Sequence, residues 1–161
     1  MNKSIAQSEI IFKLNDRLFL NTLQGVTEEQ ANERIIGHVN PVIWIAAHTV
    51  WARYNALMFL GAPAGNPYND LFENFKPYDA SQNYPSLAAV KEEWKKVSGL
   101  LSEAIKNVSA EHLAADAPIK NPTGDFTNWG TVTFFAQHES YDVGQLGLLK
   151  KFLTKEAMSY S

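Results

Sequence analysis

No cysteine occurs in the 161 residues, which excludes a disulfide scaffold, a thiolate metal site and a cysteine nucleophile. Charge is sparse and nearly balanced, with 19% charged residues and a formal net charge of −3. Without a stripe of lysine and arginine no surface neutralises phosphates, so nucleic acid is not an expected partner. No apolar run reaches the length of a membrane span, and none is expected. The opening MNKSIAQSEIIFKLNDRLFL is interrupted by Lys13, Asn15, Asp16 and Arg17 and does not read as a secretory leader, so a cytoplasmic location is expected. Alternation of apolar and polar residues long enough to build a sheet is also missing.

What is present is helical spacing. Hydrophobic residues make up 45% of the chain, and one domain over 1–161 is long enough to bury roughly two-thirds of its unfolded surface. Residues 4–23 place Ile11, Leu14 and Leu18 on one face, widened by Ile10, Phe19 and Leu23. Thr27 with Gln30 makes a capping box for a short turn of helix. Asn40 followed by Pro41 opens a second long helix that runs to about Leu60 and is stopped by Gly61 and Pro63.

Residues 61–85 are rich in turn formers, with one helical turn expected around Leu71–Phe75. A connection this long inside a small domain is a crossover or carries function. The third long helix has the clearest pattern, Leu87, Val90, Trp94, Val97, Leu101, Ala104 and Val108, with Ser86 as its cap. After an irregular segment at 109–130, with room for two-stranded pairing at 113–130, a fourth helix is expected from Thr131 to about Leu153. The expected fold is therefore all-α, a four-helix bundle with a long crossover connection between helices 2 and 3.

Polar residues on apolar faces are the candidates for chemistry. At about 100° per residue, Arg53 reads as the wet face of the second helix, near Thr49 and Ala46, which sends His48 to the buried side with Trp44, Trp51 and Asn55. On the fourth helix Phe134, Phe135, Tyr141, Leu149 and Phe152 define an apolar stripe, with His138, Asp142 and Gln145 along its middle. The i, i+4 spacing of His138 and Asp142 stacks them one turn apart. Buried imidazoles and carboxylates must satisfy one another or hold something. With His48 facing them they form a three-ligand set suited to zinc, nickel, iron(II) or manganese, leaving positions open for water or substrate. A hydrogen-bonded His–Asp pair with no metal is the competing reading of the same spacing.

The remaining candidates read as structural. His38 lies in a loop, His112 opens a short helix with a solvent-facing ring, and Gln145 either orients a ligand or, the favoured reading, bonds across the core. Ser140 sits about 200° from its neighbours two residues away, which excludes a Ser-His-Asp triad. Trp44, Trp51 and Trp94 stand at core spacing.

Three segments, NPVIWIAAHTVW at 40–51, LFENF at 71–75 and HESYDVGQLGLLKKFL at 138–153, together resemble the DinB and YfiT-like superfamily of four-helix bundles. In that family a histidine of the second helix joins two histidines spaced four apart in the fourth helix to bind a divalent metal. The resemblance implies His48 and His138 as ligands, with Asp142 standing where the usual pattern has the third histidine. Aspartate there either keeps a metal and favours harder ions such as iron(II) or manganese, or marks a member that has lost its metal.

The family resemblance implies a metal-dependent enzyme that transfers a low-molecular-weight thiol to an electrophilic small molecule, or a related hydrolase. It also implies a homodimer. The alternative is a metal-free small-molecule-binding or dimer-forming bundle. Phe72, Phe75, Tyr78 and Tyr84 of the long connection are expected at a dimer contact or over a pocket. No catalytic side chain stands out beyond the three ligands.

Overall fold

Side-chain caps set the helix starts. The hydroxyls of Thr27, Ser86, Ser109 and Thr127 accept from the backbone N–H groups of Gln30, Ala89, His112 and Gly130 at 3.0–3.2 Å, which satisfies donors that no helical carbonyl can reach. The capping box at Thr27 is complete, because its own N–H donates to Gln30 Oε1 at 3.0 Å.

The computed structural model describes residues 5–35 and 37–161, and among the described residues the chain is all-helical. The elements are α1 (Ala6–Thr22), α2 (Glu28–Asn32), α3 (Val42–Phe59), α4 (Asn69–Phe72) followed by a 3-10 turn at Glu73–Phe75, α5 (Leu87–Asn107), α6 (Ala110–Ala114) and α7 (Asn128–Thr154). The start expected for the first helix, at Ser4, lies outside the described residues. The segment left open to strand pairing makes one antiparallel bridge, Asp116 with Thr127.

Two helix starts differ from expectation. Helix α3 begins at Val42 with Pro41 as its N-cap and no side-chain cap, so Asn40 does not fill that role. Helix α7 begins at Asn128 rather than Thr131, because Gly130 is not a break. A Cβ at Gly130 would lie 2.3 Å from the Asp125 carbonyl oxygen, so glycine there lets the Asp125 turn fold onto the first turn of the helix.

Helix α3 packs on α5 and α7, and α1 packs on the same two helices. The pairs Ser8–Thr133, Asn15–Ser140 and Asn21–Lys150 ascend together, so α1 and α7 are parallel. His48 meets Asp142 while Phe59 meets Phe135, so α3 and α7 are antiparallel. Leu60 and Gly61 line one cavity with Leu100, Ala104 and Asn107, so α3 and α5 finish at the same end. The segment between them must return along the full helix length, which is why it is long.

Helix α5 buries the stripe that its sequence predicts, from Leu87 through Trp94 to Ala104, and Trp94 stacks on Phe19 with ring centroids 3.9 Å apart. Two other expected stripes are rotated. On α1, Ile10 and Leu14 are exposed, while Phe12, Asn15, Phe19 and Thr22 face inward. On α7, Tyr141 and Phe152 are exposed, and Glu139, expected on neither stripe, is buried. Glu139 faces inward toward a charged group at the centre.

Candidate metal centre

That charged group is Arg53. It was expected at the wet face of its helix, but only 1% of its surface is exposed. Its Nε and one terminal nitrogen grip both oxygens of Glu139 at 2.7 and 2.6 Å, and the same terminal nitrogen donates to the Phe12 carbonyl oxygen at 3.2 Å. The other terminal nitrogen donates to Ser98 Oγ at 2.5 Å and to Asp16. Five donors thus meet five acceptor oxygens from three other helices, above the Trp94 ring, whose centroid is 3.6 Å away. Burial alone would ease loss of the Arg53 proton, but Glu139 and Asp16 more than reverse this and hold its pKa above the ordinary value.

The position of Arg53 turns α3 around relative to expectation. The side facing outward carries Trp44, His48, Trp51 and Asn55, all half-buried, and it is roofed by α4. Phe72 reaches back over it, with its ring 5.4 Å from Trp44 and 5.5 Å from His48. His48 therefore lies on the outer seam between α3 and α7, not in the centre. It still meets its expected partners, because His138 and Asp142 occupy the same seam on α7.

There His48 Nδ1 is 3.2 Å from Asp142 Oδ2, and His138 Nε2 is 3.7 Å from the same oxygen. One ligand atom from each residue falls within a 4.8 Å cluster. Two donors on one ion at about 2.1 Å stand roughly 3.0–3.4 Å apart in octahedral or tetrahedral geometry, so the 3.2 Å spacing to Oδ2 lies inside that range and the 3.7 Å spacing just above it. Asp142 is buried, whereas the side chains of His48 and His138 keep 16% and 25% of their surface, so solvent reaches both imidazoles. The donor set fits a divalent ion, and this trio could hold one.

Two further groups touch the carboxylate. Thr49 Oγ1 lies 3.3 Å from Oδ2, and Gln145 Nε2 donates to Oδ1 at 3.3 Å. Gln145 was expected to bond across the core, yet its partner is one turn away on its own helix. Thr49, like Ala46 expected near the wet face beside Arg53, is fully buried. His138 Nδ1 is buried with no partner among the described residues, so its neutral ring has nothing there to fix which nitrogen carries the proton.

Burial pushes the His138 imidazole below its ordinary 6.5, Asp142 partly opposing and His48 adding to the effect. The unfolded chain therefore takes up this proton first as pH falls. The associated stability is complete above about pH 6.5 and is lost as pH drops through the lower folded-state value. Urea unfolding of metal-free protein should show a falling midpoint below pH 6.5 that His138→Gln flattens, and an unchanged slope in that variant would rule out His138 as the source.

The other candidates are placed as follows. His38 is exposed. His112 is half-buried rather than solvent-facing, and its Nε2 meets the Phe59 carbonyl oxygen at 3.1 Å at the end of α3. Ser140 accepts from Asn15 and donates to the Ala136 carbonyl, both at 3.0 Å, facing α1 and away from the histidines. Trp94 is fully buried, but Trp44 belongs to the seam and stacks on His48 at 4.9 Å with a 7° tilt. Of the connection's aromatics, Phe72 covers the site, Phe75 is fully exposed, and Tyr78 stacks with Tyr84.

An all-helical protein with two imidazoles and a carboxylate converging on one interhelical seam is what these observations define. The chain belongs to the DinB superfamily, whose sequence model matches residues 11–146. Among solved structures it is similar to a conserved protein from Enterococcus faecalis, with a TM-score of 0.73 and 14% identity over 97% of this chain and 100% of that one. That likeness concerns the fold. No curated protein matches the chain significantly. Among the described residues no helix is long and apolar enough to cross a membrane.

Proposed function

We propose that the chain is a single four-helix-bundle domain that binds a divalent metal through His48, His138 and Asp142 and acts on an electrophilic small molecule with a low-molecular-weight thiol as cosubstrate. The observation that carries this reading is the convergence of the three donor atoms within 4.8 Å on a seam that solvent reaches. A divalent ion there supplies Lewis acidity, which lowers the pKa of a thiol and raises its thiolate fraction. The absence of cysteine agrees with a thiol that arrives as cosubstrate. The chain's own residues do the remaining work: Trp44, Trp51 and Phe72 wall the site with apolar surface, while His138, held neutral by burial, is in the form that ligates a metal.

The test is elemental analysis by mass spectrometry of protein purified without an affinity metal or chelator, followed by assays of thiol consumption against electrophilic small molecules. Near-stoichiometric zinc, nickel, iron or manganese with thiol turnover is the expected result. Metal without turnover would remove the transferase and leave hydrolysis to be assayed, and no metal even after reconstitution would remove the enzyme altogether.

The second reading is a metal-free binding or dimer-forming module. It is favoured by the 3.2 Å contact between His48 and Asp142, which partly satisfies the trio without a metal. A homodimer is compatible with either reading. Tyr141, Leu148 and Phe152, at i, i+7 and i+11, leave an exposed apolar strip along α7 that a second copy of the chain would cover.

A further inference from the structure

The carboxylate of Asp142 is held at both ends by groups that are not metal ligands. Its Oδ2 is 3.2 Å from His48 Nδ1 and 3.7 Å from His138 Nε2, and this oxygen is the one the site offers to an ion. Oδ1 points away and takes the Gln145 amide at 3.3 Å. Thr49, fully buried on α3, sits 3.3 Å from Oδ2 and also 2.7 Å from the Ile45 carbonyl oxygen. A threonine hydroxyl has one proton and here faces two acceptors. The one proton is shared between them, and through its share with Oδ2 the hydroxyl, anchored at the Ile45 carbonyl, limits how far the carboxylate can turn. Asp142 is thus gripped from its own helix through Oδ1 and from the opposite helix beside Oδ2.

Building on the metal reading above, we propose that Thr49 and Gln145 are positioning residues that present Asp142 to the ion through Oδ2 alone. A carboxylate free to rotate binds an ion through one oxygen or two, and the second mode consumes a coordination position. With Oδ1 committed to Gln145, the protein supplies three donor atoms, two imidazole nitrogens and one oxygen, and the remaining positions stay available to small molecules. A carboxylate needs this control because it has two oxygens, whereas an imidazole nitrogen offers one lone pair.

The test compares the parent with Thr49→Val, which keeps the side-chain shape and removes the hydroxyl, with Thr49→Ser, which restores it, and with Gln145→Leu on the half-exposed side. Manganese(II) affinity is read by electron paramagnetic resonance of the free ion, and coordination by the visible spectrum of the cobalt(II)-loaded protein. Thermal unfolding of the metal-free proteins controls for folding. We expect Thr49→Val and Gln145→Leu to weaken manganese binding about 10–100-fold, as removal of an outer partner of a metal ligand typically does. Thr49→Ser should return it near the parent, and Gln145→Leu should change the cobalt spectrum. Parent-like affinity and spectra in both folded variants, or failure of Thr49→Ser to rescue, would overturn the assignment while leaving the metal site standing. A parent that binds neither ion overturns the metal reading, and this inference with it.

Discussion

Replacing Arg53 by methionine should destabilise the protein by about 3–5 kcal/mol, the usual cost of removing one partner of a buried ion pair. Glu139 is 2% exposed and would be left in the core with its two closest donors gone. Asp16 and the Phe12 carbonyl lose partners as well, and the Trp94 ring loses the cation it faces at 3.6 Å. In a chain of this size each kcal/mol corresponds to about 2–4 °C, so the melting temperature should fall on the order of 10 °C. A second variant separates pair from packing: Arg53→Met combined with Glu139→Leu removes both charges and should recover a large part of the loss, because replacing a buried pair by apolar residues is often near neutral. Urea denaturation of the parent and both variants checks this. A change within ±0.5 kcal/mol for Arg53→Met, as expected of a surface arginine, would contradict the buried placement.

Arg53 is also where the sequence was hardest to read. Helix α5 was legible because its polar and apolar residues separate cleanly onto two faces, with lysines and glutamates on one and Leu87, Val90, Trp94, Val97 and Leu101 on the other. Helix α3 is apolar nearly all round, and most of its residues are buried, so periodicity has little contrast from which to choose a face. The default that charge faces water then sets Arg53 outward, whereas it is buried. A signal was present: the residues sharing Arg53's side of the helix are Val42, Ala46, Thr49, Val50 and Leu57, with no second charge among them. On α7, Glu139 likewise sits among Val132, Phe135, Val143 and Leu146. Arg53 and Glu139 pair with each other, but their separation of 86 positions hides the pairing from any local reading.

The metal candidates survived this error for a physical reason. The i, i+4 spacing of His138 and Asp142 is a local property of one helix and needs no knowledge of its neighbours. The buried-side reading of His48 rests on an outward Arg53, yet a residue near the edge of a helix face meets the adjacent helix whichever side is the interior, as His48 meets Asp142. Thr49 shares the misreading of Arg53: it reads as lying near the wet face, whereas it is fully buried and bonds the carbonyl four residues back, that of Ile45. Only the fold shows Asp142 beside it. The same holds for Phe72, whose place over His48 depends on the path of the crossover.

His48→Gln should separate the two polar clusters. Glutamine keeps a donor within reach of Asp142 and occupies similar volume between Trp44, Trp51 and Phe72, so the unfolding free energy should change by no more than about 1 kcal/mol, the net worth of one hydrogen bond. Metal binding should fall by more than the roughly 10–100-fold typical of losing a partner outside the ligand sphere, because the side chain removed is itself a ligand. Arg53→Met is expected to do the reverse, with a large loss of stability and, at temperatures where the variant stays folded, retained metal, since none of Arg53's partners belongs to the trio. The measurements are metal content by mass spectrometry and urea unfolding of metal-free protein for both variants. Metal retained at parental level by His48→Gln would remove His48 from the ligand set. A stability loss in that variant as large as that of Arg53→Met, with no metal in the parent, would instead make the His48–Asp142 contact a structural pair and favour the binding-module reading.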